Sequence, residues 1–169
     1  MKFILAALVT LFSFSALADV TVGLIDIQRV INTIKEGQAV QKKLEKSFND
    51  KKVILQKDED KIKKAQEDFK KQSMVLADAA RANKEREMQE MFMELQNKTM
   101  QYQKEIQEME QNLKKPILDR LRPIIEEVSK AANVDLTFEL SAAPIIYAKV
   151  KKDISDDVVK AYDKKHPGK

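Results

Sequence analysis

The chain has 169 residues, a formal net charge of +4, 34% charged and 6% aromatic residues, and neither Cys nor Trp. Without Cys there is no disulfide or thiolate metal site, and the only His, His166, lies in a tail expected to be disordered, which leaves no material for a His-based triad or cluster. A composition rich in Lys, Glu, Gln, Ala and Leu fits long helices better than a compact globule.

In chain order, Met1-Lys2, an apolar run from Phe3 to Phe14 and the small residues Ala16 and Ala18 read as a secretory signal over residues 1–18, cleaved after Ala18. The apolar run is short of the ~20 residues needed to span a bilayer. No Cys follows Ala18 for lipid attachment. The mature chain is expected to be exported and soluble, beginning at Asp19.

Val20–Asp26 is β-branched and alternating, which predicts a strand. Ile27, Val30, Ile31 and Ile34 then recur at helical spacing, and Gly37 predicts a small bend before the helix runs on. Phe48, Leu55, Ile62, Phe69 and Leu76 form a strict seven-residue row, with Lys51, Asp58, Ala65 and Gln72 at the other seam position. Ser73–Arg81 predicts a reversal, with Asp78 capping the returning helix. That helix carries Met88, Leu95, Tyr102 and Met109 in one row and Phe92, Thr99, Ile106 and Leu113 in the other. No Gly or Pro occurs from Gln38 through Lys115. The region therefore predicts an antiparallel coiled-coil hairpin, an arm over 37–116 with its tip near 73–79. Polar residues at seam positions argue against a tight, dry coiled coil.

Two surface features stand out on this arm. Lys outnumbers acid on the outgoing helix, where a solvated face is the usual explanation. All internal methionines lie between Met74 and Met109. Met88 and Met109 read as seam filling. Met91 and Met93, with Phe92, crowd one segment, and methionine suits surfaces that accept varied partners. Candidate contact residues on the arm are Met74, Val75, Leu76, Met91, Phe92, Met93, Lys63, Lys64, Lys70 and Lys71.

Beyond the arm, Pro116 and Pro123 predict bends in a helix carrying Ile117, Leu121, Ile124 and Val128, and Asn133 predicts its end. Leu136–Leu140 and Ile145–Val150 read as strands around a turn at Ser141–Pro144. Ser155 predicts the cap of a last helix, with Asp156 and Asp157 in its first turn. The tail from Lys164 to Lys169 reads as disordered. Residues 19–36 and 117–169 would make a base too small for a large core, so oligomerisation is the simplest remedy.

The whole pattern, and most specifically Val134-Asp-Leu-Thr-Phe-Glu139, Ile146-Tyr-Ala and Lys152-Asp-Ile-Ser-Asp-Asp-Val158, resembles the Skp/OmpH family of periplasmic chaperones. The resemblance implies an α+β fold: a helical-hairpin arm on a small β-rich body, assembled as a jellyfish-like homotrimer. Val22, Leu24, Ile25, Leu136, Phe138, Leu140 and Ile146 would belong to the trimer body. It further implies an ATP-independent periplasmic holdase that keeps unfolded outer-membrane β-barrel proteins from aggregating in the cavity between arms. Some members of the family bind lipopolysaccharide, but no motif here marks such a site or a membrane-surface contact.

Two other classes compete. An exported structural spacer or adaptor would share the heptads without protecting unfolded clients. Specific nucleic-acid binding has only basicity behind it; the lysines are interspersed with acids and no stacking aromatic array exists. Enzyme chemistry has no support: three glycines, Gly23, Gly37 and Gly168, build no phosphate loop, and no cofactor is implied.

Overall fold

The structure is a computed structural model that describes residues 20–142 and 144–168. The signal-peptide expectation lies outside the described residues. The elements run β1 (Thr21–Ile25), α1 (Ile27–Thr33), α2 (Lys35–Gln72), α3 (Asp78–Ala131), β2 (Leu136–Glu139), β3 (Val150–Asp153) and α4 (Ser155–Lys165). The strands form one parallel sheet in the order β2-β1-β3, with Val22 beside Leu136, Leu24 beside Phe138 and Thr21 beside Val150.

One core fills the base. Ile25 from the sheet meets Val30, Ile31 and Ile34, then Ile117, Leu121, Ile124 and Val128 from α3. Ile154, Val158 and Tyr162 close it from the C-terminal side. The four α3 residues are spaced four, three and four apart, the interval that keeps one helical face turned to the core. Side chains alternate across a strand, so Val22 and Leu24 point away from this core, as do their neighbours Leu136 and Phe138. That second face of the sheet carries no helix of its own among the described residues, and Leu136 remains 53% exposed.

Several local expectations need correction. The bend expected at Gly37 falls three residues earlier: Ile34 adopts an extended conformation between α1 and α2. Asp163 Oδ1 accepts from Lys35 N at 3.0 Å and so satisfies a free donor at the start of α2. Gly37 serves a different purpose. A Cβ there would lie 1.7 Å from the Ile31 carbonyl oxygen, so the close approach of the first turn of α2 to α1 requires glycine.

At the tip, Ala77 occupies the N-cap position of α3 and Asp78 is already its first helical residue, so no side chain caps the helix. Pro116 and Pro123, the sites of the expected bends, both lie inside α3, which runs from Asp78 to Ala131. Both prolines sit on the exposed side, where the carbonyls they leave unbonded face water. Asn133 has φ 53°, as expected of a left-handed cap. Val134 N donates to Ser129 O and Asn133 N to Lys130 O, which completes a Schellman closure.

The C-terminal segment departs most from expectation. The third strand is Val150–Asp153 rather than Ile145–Val150. Hydrogen bonding to β1 decides this, since Thr21 through Leu24 pair with Val150 through Asp153. Ser155 does not cap α4; Ile154 holds the cap position. Instead Ser155 N donates to Asp153 Oδ1 at 2.8 Å, and the buried Ser155 hydroxyl accepts from Asp26 N at 3.0 Å. The tail expected to be disordered is helical to Lys165, and the His166 ring lies 4.9 Å from that of Tyr162.

Candidate functional site

Past the base, α2 and α3 pair alone as an arm. Thirty-eight residues of α2 correspond to about 57 Å at ~1.5 Å per residue. The row Phe48, Leu55, Ile62, Phe69 and the row Met109, Tyr102, Leu95, Met88 run antiparallel to one another along the seam. The second seam row of α3 is Met91, Lys98 and Glu105, whereas Phe92 of the expected row is 46% exposed. The remaining members of the expected row, Thr99, Ile106 and Leu113, are half-buried at the seam, so the sequence reading erred at Phe92 and overlooked the mostly polar row beside it.

Those polar residues are paired across the seam. Lys51 Nζ donates to Glu105 Oε2 and lies 4.2 Å from the centre of the Tyr102 ring. Lys98 Nζ donates to Asp58 Oδ2 at 2.6 Å. At the arm root, Arg120 donates to both oxygens of Glu36 at 2.8 Å. From Glu36 to Lys51 and from Glu105 to Arg120 are equal steps along the two helices, as are Lys51 to Asp58 and Lys98 to Glu105. The three pairs therefore share one register.

The signs of the pairs also oppose a slip. Sliding one helix by seven residues sets Lys51 against Lys98 in one direction and Asp58 against Glu105 in the other. Like charges at a seam are repulsive, so the ion pairs specify register where apolar rows alone would permit several. Hydrogen bonds from Lys98 and then Lys61 hold the Asp58 carboxyl below its ordinary value. Lys51 and then Gln101 do the same for Glu105.

At the arm root, burial works against the Glu36 carboxylate, but hydrogen bonds from Tyr162 and Arg120 outweigh it and hold its pKa down. Tyr162 Oη donates to Glu36 Oε2 at 2.6 Å. Burial, then this bond to a carboxylate, pushes the Tyr162 phenol up to about 12. Glu36 thus ties α2, α3 and α4 together where the arm meets the base. Sequence reasoning missed this group; the only hint was an acid in the first turn of a long helix.

The candidate contact residues divide. Met74 and Val75 project from the tip, 91% and 85% exposed, and Met93 is also exposed. Lys63, Lys64, Lys70 and Lys71 are exposed and make no ion pair among the described residues. Leu76 is half-buried at the tip of the seam, and Met91 is half-buried in the seam beside Ile62, Asp58 and Leu95. Four further exposed apolar side chains on the arm, Phe48, Val53, Ile54 and Met100, escaped the sequence reading as surface groups. Among the proposed body residues, Ile25 is 2% exposed and belongs to the protomer's own core. Val22, Leu24, Leu136 and Phe138 share the opposite sheet face, and Leu140 and Ile146 are exposed.

Among the described residues, no group of three or more His, Asp or Glu side chains is placed to hold a metal ion. No helix among them is long and apolar enough to cross a membrane.

A long two-helix arm rooted in a small base with a three-stranded parallel sheet defines a mostly helical α+β protein. The chain belongs to the OmpH-like outer membrane protein family, whose profile matches residues 21–162. The fold is similar to that of an OmpH-like protein from Caulobacter crescentus CB15 assigned as an outer membrane chaperone. The two share 20% identity and a TM-score of 0.69, over 88% of this chain and 86% of the other. No curated protein sequence matches the chain.

Proposed function

We propose that the protein is an ATP-independent periplasmic holdase that shelters unfolded outer-membrane β-barrel proteins between the arms of a homotrimer. The observation that carries this reading is the surface of the arm, which exposes Met74, Val75, Phe92 and Met93 together with the unpaired Lys63, Lys64, Lys70 and Lys71. Membership of the OmpH-like family supports it. An unfolded barrel strand alternates polar and apolar residues and has unsatisfied edges. Many weak contacts along an arm hold such a chain without fixing its conformation, because the first contact makes the next intramolecular. The mobile methionine side chain suits clients of varied sequence.

Assembly is supported by the base. The outer edges of β2 and β3 are unpaired among the described residues, and Leu136, Leu140, Ile146, Tyr147 and Val150 are exposed around them. Open edges beside apolar side chains favour pairing with another copy. Three arms about 57 Å long would then enclose a common space. Contact with lipopolysaccharide or an anionic membrane surface is compatible with the unpaired lysines but is a lesser part of the proposal.

The test is to dilute a urea-unfolded outer-membrane barrel into the mature protein and follow turbidity together with the mass of the complex. The expected result is suppressed turbidity and a discrete complex of three copies with one client. No suppression at several-fold excess, or a mature chain that stays monomeric, would overturn the reading and favour a structural spacer.

A further inference from the structure

Midway along the arm the seam is underfilled. Phe48 lies in the apolar row yet is 57% exposed. Beside it the other seam position holds Lys51, whose ammonium is turned to Glu105 and to the face of Tyr102. A groove of about 360 Å³ remains open there, walled by Phe48, Leu55, Tyr102 and Ile106.

The rim distinguishes this groove from others on the hairpin. It is formed by Lys51, Lys52, Thr99, Gln103 and Gln107, with no carboxylate. Three other grooves along the arm each include acids: Asp68 and Glu87 towards the tip, Asp58 and Glu94 next, and Glu110 near the root. Lys51 is already neutralised by Glu105, whereas Lys52 makes no ion pair among the described residues.

We infer that this groove binds an aromatic side chain of an unfolded polypeptide that carries a carboxylate within a residue or two of that ring. The inference deepens the holdase reading and rests on it for the identity of the partner. The ring stacks against Phe48 and Tyr102, whose π-faces favour offset or edge contacts. The carboxylate meets the ammonium of Lys52 with no resident acid to compete. The carboxamides of Gln103 and Gln107 offer donors and acceptors to an extended backbone, as a client without fixed structure requires. A cationic aromatic segment gains the same stacking but faces the unpaired ammonium of Lys52, so the groove discriminates by charge rather than by shape.

The experiment is an NMR titration of the full mature protein with N-acetylphenylalanine, its amide, and N-acetylalanine. With the free acid, saturable shifts are expected at Phe48, Leu55, Tyr102 and Ile106, with a dissociation constant on the order of millimolar for so small a probe. The amide should bind several-fold more weakly and N-acetylalanine should leave these signals unchanged. Lys52→Gln should remove the difference between acid and amide, with helix content unchanged. Equal binding of acid and amide, shifts spread evenly along the arm, or movement of these signals with protein concentration alone would overturn the inference; the last would place a second copy in the groove. Failure of the turbidity test would sink the holdase reading, but not this site, which the titration reads directly.

Discussion

Base and arm bury their apolar residues in different ways. In the base, eleven residues from β1, three helices and the caps beside them close on one another, and most are 4% exposed or less. In the arm, Ile62 alone among the apolar seam residues reaches that degree of burial. The base holds its shape by close packing, and the arm by a narrow seam whose register is written in charges. A chain that had to wrap varied partners would gain from that division, because the seam tolerates bending that a packed core does not.

The comparison breaks most visibly at a core residue. Leu121→Ala should cost the base about 2–5 kcal/mol, read as a lower urea midpoint for the whole chain. Leu55→Ala in the half-buried seam should cost about 1 kcal/mol and leave the base unfolding unchanged. Equal losses would remove the distinction between the two regions.

The junction is next. Gly37→Ala places a methyl against the Ile31 carbonyl, and overpacking of this kind costs about 1–3 kcal/mol. The loss should appear in hydrogen exchange of α1 and the first turns of α2, while amides near the tip exchange as before. Protection lost uniformly along α2 would show that arm and base are not separable.

Tyr162→Phe removes the hydroxyl donor from Glu36 and leaves Arg120 in place, at a cost of about 1–3 kcal/mol. The pH dependence sharpens the result. Glu36 has its pKa lowered on folding, so its contribution is present above its ordinary value of 4.5 and is lost as pH falls through the lower folded value. Tyr162 is shifted the other way, so its contribution is complete below 10.0 and disappears as pH rises through about 12. The phenylalanine variant should therefore lose the alkaline limb of the stability profile and flatten the acid one.

The smallest effect belongs to the seam charges. Asp58→Lys should lower the thermal stability of the arm by setting two lysines together, and adding Lys98→Asp should restore it. The pairs are partly solvated, so the change should be modest and weaken with salt. Because the chain has no native Cys, register can be read directly by introduced disulfides. Ala65→Cys with Met91→Cys should cross-link in the wild-type register, and less so in the Asp58→Lys single variant. Unchanged cross-linking there would show that the apolar rows set the register alone.

Heptad spacing determined that there is a hairpin, because a seven-residue apolar row on a continuous helix must lie against another helix. The strand at Thr21–Ile25, the core face of Ile117, Leu121, Ile124 and Val128, and the left-handed cap at Asn133 were likewise legible, since each rests on local periodicity or on one residue's backbone preference. What escaped were the features that depend on contact between distant segments. Lys51 and Asp58 looked like defects until Glu105 and Lys98 stood opposite them. Ser155 looked like a cap until the sheet brought Asp26 to its hydroxyl, and β3 could be placed only where β1 offered its hydrogen bonds. Ile34, not Gly37, breaks the first helix because the break is set by how α1 and α2 fit around Tyr162 and Asp163. Period and propensity act within a few turns of chain; pairing, register and the uncovered sheet face depend on which distant surfaces come to lie together.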